Sequence, residues 1–407
     1  MIHPARVPAG LDALGGELAI GGRRASAWAA ELDTPCFLYD RALIERRIAE
    51  LRAALPPQVR LHYAVKANPL PELIAWIAPR VDGLDVASGG ELATALAAGG
   101  DAGHISFAGP GKRDAELGAA ITAGATLNVE SAGEFDRALA IAVAQGRTLR
   151  AALRINPDFE LKGSGMRMGG GAKPFGVDAD QAPLLLPRFA HPAVDFRGFQ
   201  IFAGSQNLSA ASLIEAQRQT IALAARMAEH APAPPVVLNL GGGFGIPYFP
   251  TDSALDLAAV GRALAESWAT RPPALAATEP VIELGRYLVG EAGVYLTRVI
   301  DRKWSAGELF LVADGGLHHQ LAASGNFGTV VRRNYPLANA SRFTEPAAET
   351  ATVVGCLCTP LDRLGERVAL PQTQPGDLIA VFMAGAYGRS ASPTAFLGHP
   401  LPAERLT

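Results

Sequence analysis

Residues 61–87 read LHYAVKANPLPELIAWIAPRVDGLDVA. Two short apolar runs, Leu61–Val65 and Leu84–Ala87, flank an alanine- and leucine-rich stretch over 71–78 whose spacing is helical. The unit then repeats. His104–Phe107 and Thr126–Val129 are further short β-rich runs, with helical stretches over 90–98, 114–123 and 133–144 between and after them. Leu149–Ile155, Gly198–Phe202, Val236–Leu240 and Val281–Glu283 bring the strands to eight. Strands alternating with helices pair in parallel. Eight such units in about 250 residues predict an α/β fold, a closed TIM-like (β/α)8 barrel.

Beyond about residue 285 the texture changes. Val294–Ile300, Leu309–Val312, Ala351–Val354 and Leu378–Phe382 read as short strands between Gly and Pro turns, an all-β C-terminal domain. The stretch 324–346 reads as a long irregular loop, and Glu17–Ile20 as a strand packing on the β domain. The expected division is a barrel over 34–284 and a β domain from 1–33 plus 285–407.

Composition narrows the function. The 407 residues carry 36 Lys+Arg against 39 Asp+Glu, a net charge of −3. No basic patch points to nucleic acid, and no run of about 18 apolar residues points to a membrane span. The N-terminus has no charged head followed by an apolar core, so no signal peptide is expected. Three cysteines, Cys36, Cys356 and Cys358, without a CxxC fit a reducing compartment, and the cytoplasm is the expected location. The histidines show no metal-ligand spacing, so no metal is expected. On a strand the adjacent His318 and His319 would face opposite ways.

In a (β/α)8 barrel, active-site groups sit at the C-terminal strand ends. Those positions hold Lys66, Asp85 with Ser88, Glu130, Arg154 with Asn156, Gly204-Ser205-Gln206, Gly241-Gly242-Gly243, and Glu283-Leu284-Gly285-Arg286. A lysine closing an apolar strand, held partly dry, becomes a nucleophilic amine; the plainer alternative is a rim ion pair. Three glycines after a strand let backbone N–H groups approach an anion, though a tight turn uses the same residues. Glu283 beside a pyridine ring would keep its nitrogen protonated, or would pair with Arg286. Together these residues point to a phosphate-bearing aldehyde cofactor.

Tyr63-Ala-Val-Lys66-Ala-Asn68, Asp85-Val-Ala-Ser88, Gly204-Ser205-Gln206, Asn239-Leu-Gly241-Gly242-Gly243, Glu283-Leu-Gly285-Arg286, Cys358 with Asp362, and Gly385-Ala-Tyr387 occur in that order over roughly residues 34–395. In this the chain resembles the fold-type III pyridoxal-phosphate decarboxylases, the diaminopimelate and ornithine decarboxylase group. The resemblance implies an alanine-racemase-like architecture with pyridoxal 5'-phosphate held by Lys66. It implies Glu283 at the pyridine nitrogen. Ser205, Gly241 to Gly243, Gly285-Arg286 and Tyr387 would bind the phosphate, and Asp85, Ser88 and Arg154 would shape the pocket. Cys358 would protonate the substrate carbon after carbon dioxide leaves, from the partner subunit of a homodimer with shared active sites. Cys356 reads as a buried core cysteine, on the same strand face as Cys358.

The chain also departs from the pattern. Phe202 stands where the family has a ring-stacking histidine, and Gln200 where the same motif has an earlier one. Leu284 replaces a common proline. Thr359, followed by Pro360, replaces the acidic residue that reads a distal amine, which disfavours diaminopimelate, lysine or ornithine as substrate. Arg332 and Arg333 lie near the family's substrate-carboxylate arginine, and Arg286, Thr359 and Asp362 complete the expected substrate contacts. The glycine-rich cationic segment 158–176 is similar to a loop in a subgroup from secondary-metabolite and exopolysaccharide clusters. Some of that subgroup act on an amino acid attached to a carrier protein; the alternative reading is a mobile lid. The expected activity is loss of the α-carboxylate from a small amino-acid substrate, free or tethered to a carrier protein. A racemase and a cofactor-free regulatory protein are the alternatives.

Overall fold

Every one of the eight expected strands forms, and they close on themselves. In this computed structural model, which describes residues 7–161, 163, 165–167, 169–325 and 333–407, the barrel strands are Arg60–Ala64, Gly83–Val86, Ile105–Phe107, Thr126–Val129, Leu149–Asn156, Val194–Ile201, Val237–Asn239 and Glu279–Leu284. Each pairs in parallel with the next. Closure comes where the eighth meets the first, Leu284 opposite Tyr63. The strands are almost entirely buried, since the closed sheet covers one face and the helices the other.

Local chemistry sets the helix boundaries. Ser88 and Ser131 each cap the helix that follows, accepting from Glu91 N and Glu134 N, both at 3.1 Å. Each such cap contributes about 1 kcal/mol. Gly124 and Gly146 end their helices with φ of 80° and 61°. The sixth strand carries a bulge between Phe196 and Gly198. A Cβ on Gly198 would lie 2.1 Å from Val237 O, so only glycine lets the bulged strand reach its neighbour.

The chain divides into two compact units. One holds Ile48–Ile246 and Ala254–Gly285; the other holds the segments up to Arg47, Pro247–Ser253 and Arg286 onward. The second unit is built on the long strand Gly293–Ser305, which pairs with Cys36–Tyr39, Leu378–Val381 and Glu308–Ala313 along its length. Phe37, Tyr39, Tyr295 and Phe382 fill its core. Glu17–Ile20 forms as expected, with Leu18 N donating to Ala340 O at 2.8 Å.

Three expectations are corrected here. The stretch 324–346 is not all loop: Leu337–Asn339 is a strand paired with Leu378–Val381. Only three residues long and flanked by Pro and polar residues, it offers too little alternation to stand out in sequence. His318 and His319 do not straddle a strand. They lie in a turn, with ring centroids 3.7 Å apart. Cys356 and Cys358 do not share a strand face, because the strand ends at Val354 and the chain bends. Cys356 is half-buried and Cys358 exposed. Among the described residues no helix is long and apolar enough to cross a membrane.

Candidate active site

Strand alternation brings the buried polar residues of the barrel together. Gln200 lies opposite Asn239 in the ladder, and Glu283 lies opposite His62. Gln200 Nε2 and Asn239 Nδ2 both donate to Glu283 Oε2, at 2.8 and 2.9 Å. All three side chains are buried. Burial pushes the Glu283 carboxyl above the usual carboxylate range, and the Asp85 charge adds to the push. Lys66 and the two amides pull the other way. The Glu283 carboxylate is held by these amides, and Arg286 Nη1 donates to Tyr248 OH at 2.6 Å. Gln200 and Asn239 had no assigned role in the sequence. The available signal was a lone polar residue at the same phase of each apolar strand.

Asp85 accepts from Ser106 Oγ and lies 3.4 Å from His62 Nδ1. Its Oδ2 is buried and has no hydrogen-bond partner among the described residues. Lys66 sits on the single turn Val65–Ala67 directly after the first strand. Its neighbours are buried but Lys66 is exposed, so the partly dry lysine expected from sequence is corrected to an open one. It lies past the strand end, not in the buried strand itself. Its Nζ stands 5.6 Å from the Phe202 ring centroid. A Cβ on Gly285 would meet Ala67 Cβ at 2.7 Å, so glycine there lets strand eight end close against the lysine turn.

The glycine triplet is a close-approach site. Gly241 and Gly243 take φ of 68° and 80°. A Cβ on Gly242 would lie 1.9 Å from Glu283 O. Gly241 N donates to Asn239 Oδ1 at 2.8 Å. The N–H groups of Gly242 and Gly243 donate to no described residue, and Ser205 Oγ is buried without a partner among them. Gln206, next in the chain, holds a φ of 57° through paired hydrogen bonds with the Ile246 backbone. Uncommitted backbone and hydroxyl donors suit an anion. With Glu283 for a ring nitrogen and Lys66 for an aldehyde, the residues present fit pyridoxal phosphate.

Other predicted residues have different surroundings. Ser88 spends its hydroxyl on the helix cap. Arg154 is buried, paired with Glu130 at 2.8 Å, and faces the Phe175 ring at 5.1 Å. Among the described residues of segment 158–176, Met166–Arg167 pairs with Gly204–Ser205, and Asn156 Nδ2 donates to Gly171 O at 2.9 Å.

The second unit carries its own cluster. The Arg286 guanidinium stands 4.7 Å from the Tyr387 ring centroid, and Tyr387 holds a φ of 53°. Arg333 is exposed and lies 5.0 Å from the Phe249 ring centroid; Arg332 lies outside the described residues. Asp362 is buried, accepting from Leu317 N at 2.7 Å and Leu357 N at 2.9 Å. It therefore holds the bend that presents Cys358. Thr359 N donates to Leu357 O at 2.8 Å within the same bend.

Residues 41–290 match the family model described as pyridoxal-dependent decarboxylase, pyridoxal binding domain. The chain is similar to an L-glutamyl-[BtrI acyl-carrier protein] decarboxylase of Niallia circulans, 38% identical over 94% of this chain and 90% of that protein. It is also similar to a diaminopimelate decarboxylase of Neisseria meningitidis serogroup B, 34% identical over 88% of this chain and 84% of the relative. Among solved structures, AQ1208 from Aquifex aeolicus superposes with a TM-score of 0.83 at 28% identity, covering 98% of this chain and 92% of that one.

Proposed function

The chain belongs to the pyridoxal-dependent decarboxylase family, and from that premise we propose that its substrate is an amino acid carried as an acyl group on a carrier protein. The enzyme itself is a pyridoxal-phosphate-dependent amino-acid carboxy-lyase. The observation that carries the tethered substrate is the bend after Cys358. Thr359, Pro360 and Leu361 supply no charge there to read a free distal amine. The likeness to an acyl-carrier-protein decarboxylase supports the same reading.

Pyridoxal phosphate, when bound, supplies an aldehyde for an amine and a ring that draws electrons from the carbon losing its carboxylate. Lys66 Nζ would offer the amine that holds the cofactor's aldehyde. Glu283, fixed by Gln200 and Asn239, would hold a proton or positive charge on the ring nitrogen. Gly242 N–H, Gly243 N–H and Ser205 Oγ would donate to the phosphate. Phe202 gives an uncharged ring face. Cys358 Sγ–H donates the proton that replaces the departing carboxylate on the α-carbon.

Carbon dioxide release measured side by side on an aminoacyl carrier protein and on the free amino acids tests the substrate. The carrier form is expected to give a kcat/KM at least about 100-fold higher, a differential binding of roughly 2.7 kcal/mol. Equal turnover of a free amino acid would overturn the proposal.

Cys358 is exposed, and the proposed working form is a homodimer in which the partner's Cys358 serves Lys66. Lys66→Ala and Cys358→Ala chains should each be nearly inactive. After mixing and reassembly, random pairing makes half the dimers heterodimers with one intact site, about a quarter of wild-type activity. If each site were built from one chain, the mixture would stay inactive.

A further inference from the structure

Three side chains that the decarboxylation does not use converge in the second unit. His318, Cys356 and His399 place one ligating atom each within 4.8 Å of the others. They come from the turn after Glu308–Ala313, the bend after Glu349–Val354, and the segment before Ala403–Leu406. Cys356 Sγ stands 3.8 Å from His399 Nδ1 and 3.9 Å from its Nε2. The His318 and His399 ring centroids are 5.0 Å apart.

His318 is the informative member. It is fully buried, and neither ring nitrogen has a hydrogen-bond partner among the described residues. A neutral imidazole carries one N–H and one lone pair. Leaving both buried and unmet is unfavourable. Its neighbour His319 shows the contrast: Nδ1 lies 3.2 Å from Tyr295 OH and Nε2 lies 3.0 Å from Pro400 O. One histidine of the pair is satisfied by the fold; the other is buried with its lone pair unspent, beside a thiol and a second imidazole.

We propose that His318, Cys356 and His399 bind a divalent transition-metal ion, zinc by ligand chemistry. Two imidazoles and one thiolate are a zinc donor set. Tetrahedral zinc with bonds of about 2.0–2.3 Å holds its donors roughly 3.3–3.6 Å apart. The Cys356–His399 separation is close to that already, and a shift of about 1 Å closes the set. Cys356 and His399 are half-buried, which gives the ion an approach and leaves the fourth position to water. The Cys356 thiol donates to Asp314 O at 3.4 Å. On binding, that proton is released and sulfur bonds to the metal.

The position gives the ion a consequence. Cys356 begins the bend that carries Cys358, and His318 follows Leu317, whose N–H is held by Asp362. Metal and Asp362 together would clamp the bend from both sides. This positioning role rests on the reading of Cys358 as the proton donor; the binding of the metal does not.

The test uses the holoenzyme stripped with a chelator and titrated with Co2+, followed by the visible d–d bands of tetrahedral cobalt. These lie away from the cofactor's absorbance. Metal content is counted by plasma mass spectrometry after dialysis in Zn2+. About one ion per chain is expected. Cys356→Ser and His399→Gln should each weaken binding at least about tenfold, while Cys358→Ser leaves it unchanged. His399→Gln, at a half-buried site, decides the matter should Cys356→Ser fail to fold. No stoichiometric metal in the wild type overturns the proposal, as does binding lost in Cys358→Ser or unchanged in His399→Gln.

Discussion

Lys66→Ala should lose carbon dioxide release by at least about 10³-fold, roughly 4 kcal/mol of barrier, while its melting temperature without cofactor stays unchanged. The two halves of this expectation have separate causes. The side chain is exposed on the turn after the first strand, and its ring contact is to Phe202 at 5.6 Å. Its removal opens no cavity, so the stability change should stay within about 0.5 kcal/mol. Chemically, among the described residues no other lysine stands at a strand end on this rim: Lys112 is buried and paired with Glu134 at 2.7 Å. Lys66→Arg should not rescue, because a guanidinium stays protonated and cannot act as a nucleophile. The measurements are turnover, the absorbance of lysine-bound cofactor, and thermal melting of the apo form. Activity within tenfold of wild type would remove Lys66 from the mechanism.

Gly242→Ala should damage stability and cofactor binding together. Its Cβ would sit 1.9 Å from Glu283 O and 3.0 Å from the Glu283 carbonyl carbon. The clash is with backbone, so no side-chain rotation relieves it. The end of strand eight must move, although Glu283 N is tied to Gly241 O at 2.9 Å. That motion shifts the buried carboxylate away from Gln200 and Asn239. It also disturbs the uncommitted N–H groups of Gly242 and Gly243. The expected cost is about 2–4 kcal/mol of stability and at least about 100-fold in cofactor affinity. Gly133→Ala is the control: its Cβ meets nothing within 4 Å on the helix Ala132–Gln145. That change should be neutral or stabilising by up to about 1 kcal/mol. Equal behaviour of the two variants would refute the close-approach account of the glycine triplet.

The eight barrel strands were legible because each is a short β-rich run bounded by turn residues or a helix, and closure follows from their number. Glu283, Lys66 and the glycine triplet were legible because each stands at a strand's C-terminal end. Gln200 and Asn239 were visible as residues but not as partners, since their pairing depends on register between strands 39 residues apart in numbering, 200 against 239. Asp362 was read as a substrate contact. Its two oxygens are taken by Leu317 N and Leu357 N, hydrogen bonds that no spacing rule announces.

The amino-acid order by itself determined the barrel, the cofactor class and the side chains at the strand ends, because strand period and strand polarity are local properties. Tertiary structure alone decided which polar groups are paid in hydrogen bonds and which are left over. Asp85 Oδ2, Ser205 Oγ and both nitrogens of His318 are left over among the described residues. The His318–Cys356–His399 cluster is the clearest instance. Its members lie in three distant segments, so the sequence suggested no metal. Only the packing that buries His318 without a partner brings a thiol and a second imidazole beside it.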